Sequence, residues 1–245
     1  MSALAHLIES RGIATVVVGL VRVHMEKVRP PRGLWVPFEL GRPFGEPGDA
    51  AFQRRVALAA LRLLERTDGP VILEDYPEEA PGRVPAADWT PAIALPPAGG
   101  APADAAGWAA ALRAEIARVR PAWEAAKAAR GRTTVGVSGV DPAAWPALLA
   151  SFAAGTPAVE SPMPGLRPVQ AARYVVDDLK AMYLEAAMAP GDRPSSTQVH
   201  DWFWNATLAA AAIQAIRRSC LASDDKTLNL VGGGQFVPGA RVPPA

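Results

Sequence analysis

Leu4, Leu7 and Ile8 recur at helical spacing, Gly12 offers a helix stop, and IATVVVG at 13–19 is a β-branched run. This pattern predicts a short helix entering a strand buried on both faces, as in a parallel sheet. LVRVHMEKV (20–28) reads as a short helix or turn, and GLWVPF (33–38) as the next strand. Asp49 is placed to cap a helix running to about Arg66, with Phe52, Val56, Ala59, Ala60, Leu63 and Leu64 on one face. VILED (71–75) predicts a third strand, and the proline-dense residues 76–104 an extended surface excursion.

Beyond it, residues 108–130 read as a helix with Pro121 as an internal kink or break, and TTVGVSG (133–139) as a further strand. A helix from Asp141 to Gly155 starts with Asp-Pro, a cap followed by proline in the first turn. Helical spacing returns from about Pro168 to Met188, through Tyr174, Val175, Leu179, Met182 and Tyr183. Ser195 and Gln198 have the spacing of a capping box and open a helix through Arg218. A six-residue turn would join these two long helices into an antiparallel hairpin. The tail from Thr227 offers one more strand, with VGGGQF (231–236) as a flexible turn.

The expected fold is therefore α/β: a Rossmann-like, mainly parallel sheet with flanking helices in residues 1–165, and a C-terminal helical hairpin with its tail in 166–245. A chain of 245 residues, half of them hydrophobic, is large enough to bury a sizeable core. With 25 Lys and Arg against 24 Asp and Glu, it carries no net field to attract nucleic acid or an acidic membrane surface. The longest apolar run, 206–216, is too short to span a bilayer. Cys220 is the only cysteine, which suits a reducing cytoplasm and leaves no thiol cluster for a metal.

The loop PFELGRPFGEPGD (37–49) raises a functional question, because loops at the carboxyl ends of parallel strands form ligand crevices. Arg42 is suited to clamp a carboxylate, and Glu46 or Asp49 to accept an amine or a proton. The competing reading pairs Arg42 with Glu39 or Glu46 and leaves Asp49 as a helix cap. No dinucleotide fingerprint follows any strand, so no cofactor is expected. VSGVDP (137–142) offers a seat for an anion. His6, His24 and His200 have no metal-site spacing, and no metal is expected. HDWFWN (200–205) puts His200, Asp201, Trp202 and Trp204 together, either as a cradle for a cationic or aromatic substrate or as packing for the hairpin or a dimer face. Asp177, Asp178 and Glu185 read as a solvated charged face beside Arg173 and Lys180, and Cys220 as a thiol whose pKa its helix end raises.

IESRGIATVVV (8–18), with Glu9 three residues before a Gly-Ile that opens a strand, and PFELGRPFGEPGD (37–49) resemble the glycine, sarcosine, betaine and D-proline reductase family, selenoprotein B type. The resemblance spans residues 8–65, about a quarter of the chain. It implies reductive cleavage of a bond at the carbon next to a carbonyl, led by a selenocysteine or cysteine just upstream of the Glu-x-x-Gly-Ile segment. Here Met1 precedes that segment too closely to leave room for the redox residue. The expectation is therefore a companion, thiol-less subunit that supplies scaffold and part of the substrate site, with a partner carrying the redox Cys or Sec, or self-association, or both. The alternative is a stand-alone small-molecule-binding protein or acid–base enzyme that uses no thiol. Glu9, Arg42, Glu46, His200 and Asp201 are the candidate catalytic groups. Arg42, Trp202 and Trp204 are the candidate contacts to a small carboxylate or amine.

Overall fold

The computed structural model describes residues 2–38, 40–78, 88–96, 100–188 and 194–242. The expected six-residue turn before Ser195, the middle of the proline-dense excursion and Glu39 lie outside them, apart from Pro194 in the turn. The chain divides into two compact units, Met1–Val84 and Pro85–Ala245, rather than at residue 165.

In the first unit α1 (Ser2–Glu9), β1 (Val17–Gly19), α2 (Arg22–Val28), β2 (Arg32–Trp35), α3 (Ala50–Arg62) and β3 (Ile72–Asp75) follow in that order. The strands pair in parallel as β1-β2-β3. Partners in a parallel ladder share a face, so Gly19, Trp35 and Asp75 lie on one side of the sheet and Val18 and Leu34 on the other. α2 covers the first side through Met25, whose side chain occupies the space that a Cβ on Gly19 or Gly33 would need. α3 covers the second. Phe52, Val56 and Ala60 are buried with Leu34, Val36, Phe38, Ile72 and Tyr76, and the rings of Phe38, Phe52 and Tyr76 stand 5.4–6.1 Å apart. β1 and β3 fall inside their apolar runs and β2 begins one residue before its own, at Arg32; each is shorter than its run, because the ladder ends where its partner does. This is a loose α/β arrangement of three short strands with flanking helices.

The second unit is helical: α4 (Ala105–Arg130), α5 (Trp145–Ala153), α6 (Pro168–Ala187), α7 (Ser196–Ala206), α8 (Leu208–Leu221) and α9 (Lys226–Gly234). α4 and α5 pack against each other and against α6 and α8, and this is why the boundary falls before α4. Trp145, Leu149, Phe152, Leu179, Tyr183, Phe203, Ile213 and Ile216 share one core. No helix is long and apolar enough to cross a membrane among the described residues.

Four expectations are corrected in this unit. TTVGVSG is not a strand, because the amides of Gly136, Val137 and Ser138 all donate to the Asp178 carboxylate at 2.8–2.9 Å, leaving none for a ladder. The helix expected through Arg218 breaks at Thr207, whose hydroxyl accepts from Ala210 N at 3.1 Å and so starts α8 afresh. The helix expected from Asp141 begins at Trp145, after a turn in which Asp141 accepts from Ala143 N at 2.8 Å. The tail adds a helix, not a strand. Asp225 caps α9 by accepting from Thr227 N and Leu228 N, and VGGGQF supplies its last residues. By contrast, Pro121 sits inside a continuous α4.

Candidate functional site

The carboxyl ends of the three strands gather groups that the sequence keeps 13 and 40 residues apart. The last rung of the sheet aligns Gly19, Trp35 and Asp75. Arg22 opens α2 directly after β1, and its Nε lies 3.2 Å from both Asp75 carboxylate oxygens. Its guanidinium carbon stands 6.0 Å from the Trp35 ring centre, within range of a cation–π contact, and Glu26 pairs with it one turn along. The Arg22 and Asp75 side chains are 45% and 46% exposed, so this ion pair lies open to solvent. Hydrogen bonding and the charge of Asp75 raise the Arg22 pKa further above its ordinary value.

A second pair forms at the end of β3. Arg55 contacts Glu78 at 2.9 Å, and the Tyr76 hydroxyl donates to the same carboxylate at 3.2 Å. Burial pushes the Tyr76 phenol up, and the negative charge of Glu78 adds to that. The Arg55 side chain also covers the Phe52 ring at 5.0 Å.

The loop between β2 and α3 has a buried inner part and an outer part that turns on glycines. Its inner residues, Val36 and Phe38, are buried, and Val36 N extends the ladder by donating to Gly19 O at 3.0 Å. Its outer part turns three times at Gly41, Gly45 and Gly48, each with φ near +90°, a conformation that glycine adopts without Cβ strain. Arg42 pairs with Glu46 at 2.5 Å, and Asp49 caps α3 by accepting from Phe52 N at 2.9 Å. Gln53 Nε2 ties the loop down by donating to Glu46 O at 2.8 Å.

The remaining candidates are placed as follows. Glu9 accepts from Thr15 N and Thr15 Oγ1, each at 2.9 Å, and from Arg32 at 2.7–2.8 Å. Its partial burial favours the neutral acid, but these donors outweigh that and hold its pKa below the usual glutamate range. Glu9 thus joins α1 to β2. His200 is exposed, and Asp201 forms an ion pair with Arg241. Trp202 and Trp204 are partly buried against the helical core, where Phe203 meets Tyr183 and Trp204 edge-on at 5.7 and 5.2 Å.

Asp177 fits the expected charged face, paired with Arg173 at 3.1 Å and Lys180 at 3.0 Å. Its neighbour Asp178 does not, being only 1% exposed. The amides of Gly136, Val137 and Ser138, ahead of the helix start where an anion seat was expected, hold this carboxylate of the protein's own. Cys220 is buried, and that burial pushes its thiol up to about 11. Set beside known proteins, the chain matches no family model, no characterised sequence and no solved structure. Arg22, Trp35 and Asp75 escaped the sequence reading. Arg22 follows the first expected strand and Asp75 ends the third, but Trp35 lies inside the expected strand 33–38, so only the register of the sheet sets the three together.

Proposed function

We propose that this chain is the thiol-less companion of a reductase resembling the glycine, betaine and proline reductases, and that it binds a small zwitterion at the carboxyl ends of β1–β3. The observation that carries the reading is the separation of chemistries within the sequence. The one thiol is sealed in a helical core and held protonated at neutral pH, whereas a solvent-open Arg22–Asp75 pair beside Trp35 stands at the strand ends. A low-pKa thiolate or selenolate is required to attack the carbon beside a carbonyl, and Cys220 is not one. The attacking atom then comes from a partner polypeptide.

The Arg22–Asp75 pair suits a ligand bearing both charges. An incoming carboxylate takes one edge of the Arg22 fork, and a cationic nitrogen sits between Asp75 and the Trp35 face. Surface ion pairs contribute little, so opening this one costs little. Glycine betaine is the probe. The wild-type chain is expected to bind it saturably, and Arg22→Ala and Trp35→Leu are each expected to weaken binding by about tenfold or more. Iodoacetamide at pH 8 is expected to leave Cys220 unmodified until the chain is unfolded. In complexes captured by co-expression with a Cys- or Sec-bearing partner, Cys220→Ala should keep full turnover. Turnover by the isolated chain with dithiol, abolished in Cys220→Ala, would overturn the reading.

A further inference from the structure

We infer that the helical unit holds a separate binding site for a small carboxylate with an aromatic or branched apolar body, in the groove between α4 and the turn that leads into α5. The groove encloses about 290 Å³ and is lined by Arg113, Ile116, Ala117, Arg120, Pro121 and Glu124 on one side and Pro142, Ala143 and Pro146 on the other. Its walls are apolar and stiff, since three of these residues are prolines with φ fixed in advance, so little ordering is needed when a ligand enters. Its hollow has a local cause. Ala117 stands one turn from both Arg113 and Arg120, and its methyl leaves the space between the two long side chains unfilled.

The charge on the rim selects the occupant. Arg113 has no ion-pair partner among the described residues, and Arg120 meets Glu124 only at 3.9 Å, with side chains 45% and 61% exposed. Two arginines thus line the groove one after the other along α4, and the nearby carboxylate of Glu124 stands one turn beyond Arg120. A long, solvated pair of this kind is worth little, so Arg120 is free to turn to a better acceptor. Planar guanidinium groups grip a carboxylate bidentately and stack on an aromatic face, while their methylene stems extend the apolar wall. A neutral apolar ligand leaves both arginines unused, and a bare small anion leaves the apolar walls unused. An aromatic carboxylate uses both.

Benzoate is the probe, titrated into the full-length chain by calorimetry and by amide chemical shifts. Saturable binding is expected, with shifts concentrated in residues 113–124 and 142–146. Benzamide and acetate should each bind at least about tenfold more weakly than benzoate. Arg113→Gln combined with Arg120→Gln should lose about tenfold or more, and Ala117→Trp should abolish binding by filling the hollow. All three positions are exposed, and unchanged helical circular dichroism would confirm that the variants fold. Absence of saturation, shifts centred elsewhere, or equal benzoate binding by wild type and the double Gln variant would each overturn the assignment. The site is independent of the zwitterion reading: it lies in the other unit, and Arg22→Ala should leave benzoate binding unchanged.

Discussion

Asp178 accepts from three consecutive backbone amides and from the Ser138 hydroxyl, at 2.6–2.9 Å, in a site almost closed to water. Asparagine there would turn an amide NH2 toward donors and leave at least one of them unpaired. Asp178→Asn is therefore expected to destabilise the protein by about 3 kcal/mol, read from the urea midpoint at pH 7. If the loop from Gly136 to Ser138 is an anion seat, Asp178→Gly should melt higher in formate than in chloride, because a free carboxylate refills the space. Glu185 works the same way nearer the surface. Its burial favours the neutral acid, but Thr133, the Thr134 amide and hydroxyl, and Trp123 outweigh that and hold its pKa below the usual range. A pKa lowered by folding gives stability that is complete above the ordinary glutamate value, about pH 4.3, and lost as pH falls through the folded value. Glu185→Gln is expected to be less stable at pH 7 and to lose less on acidification than the wild type, as thermal melts from pH 7 to pH 3 would show.

Three adjacent glycines near the end of α9 make a sharp comparison between elements. A Cβ on Gly232 would stand 2.6 Å from the Cys220 Cβ, whereas one on Gly233 meets its nearest atom at 4.0 Å and one on Gly234 meets nothing. Gly232→Ala should force α8 and α9 apart and cost about 2 kcal/mol, while Gly233→Ala should be neutral or add about 0.5 kcal/mol through helix propensity. Chemical denaturation of the two variants decides the point. The elements themselves were legible to different degrees. Apolar spacing revealed α3, α4 and α6, and Ser195 and Gln198 revealed the start of α7, because helical periodicity and capping are local properties. Residues 133–139 misled, since β-branched residues alternating with glycine look alike in a strand and in a loop folded around a carboxylate, and that carboxylate lies 40 residues away. Glu115 shows the same limit. It is buried in α4 and accepts from Leu208 N and Ala209 N at the start of α8, a junction that no spacing reveals. At the candidate site the Arg42–Glu46 pair and the Asp49 cap could be read in advance, being separated by three or four residues. The Arg22, Trp35 and Asp75 group depended on strand register and could not.

Each unit of the whole molecule has its own apolar core, one between a sheet and its helices and the other among helices alone. A fragment comprising residues 85–245 is therefore expected to fold by itself, giving a strongly helical spectrum and a cooperative melt. A fragment with a molten, non-cooperative transition would show instead that its core is incomplete. The first unit differs in how it can be made. Its strands lie in the sheet in the same order as along the chain, and the apolar cluster that seats them ends at Tyr76. During synthesis each strand can dock on the one before it as it leaves the ribosome, so the first unit can take shape while the helices that follow it in the chain are still being translated.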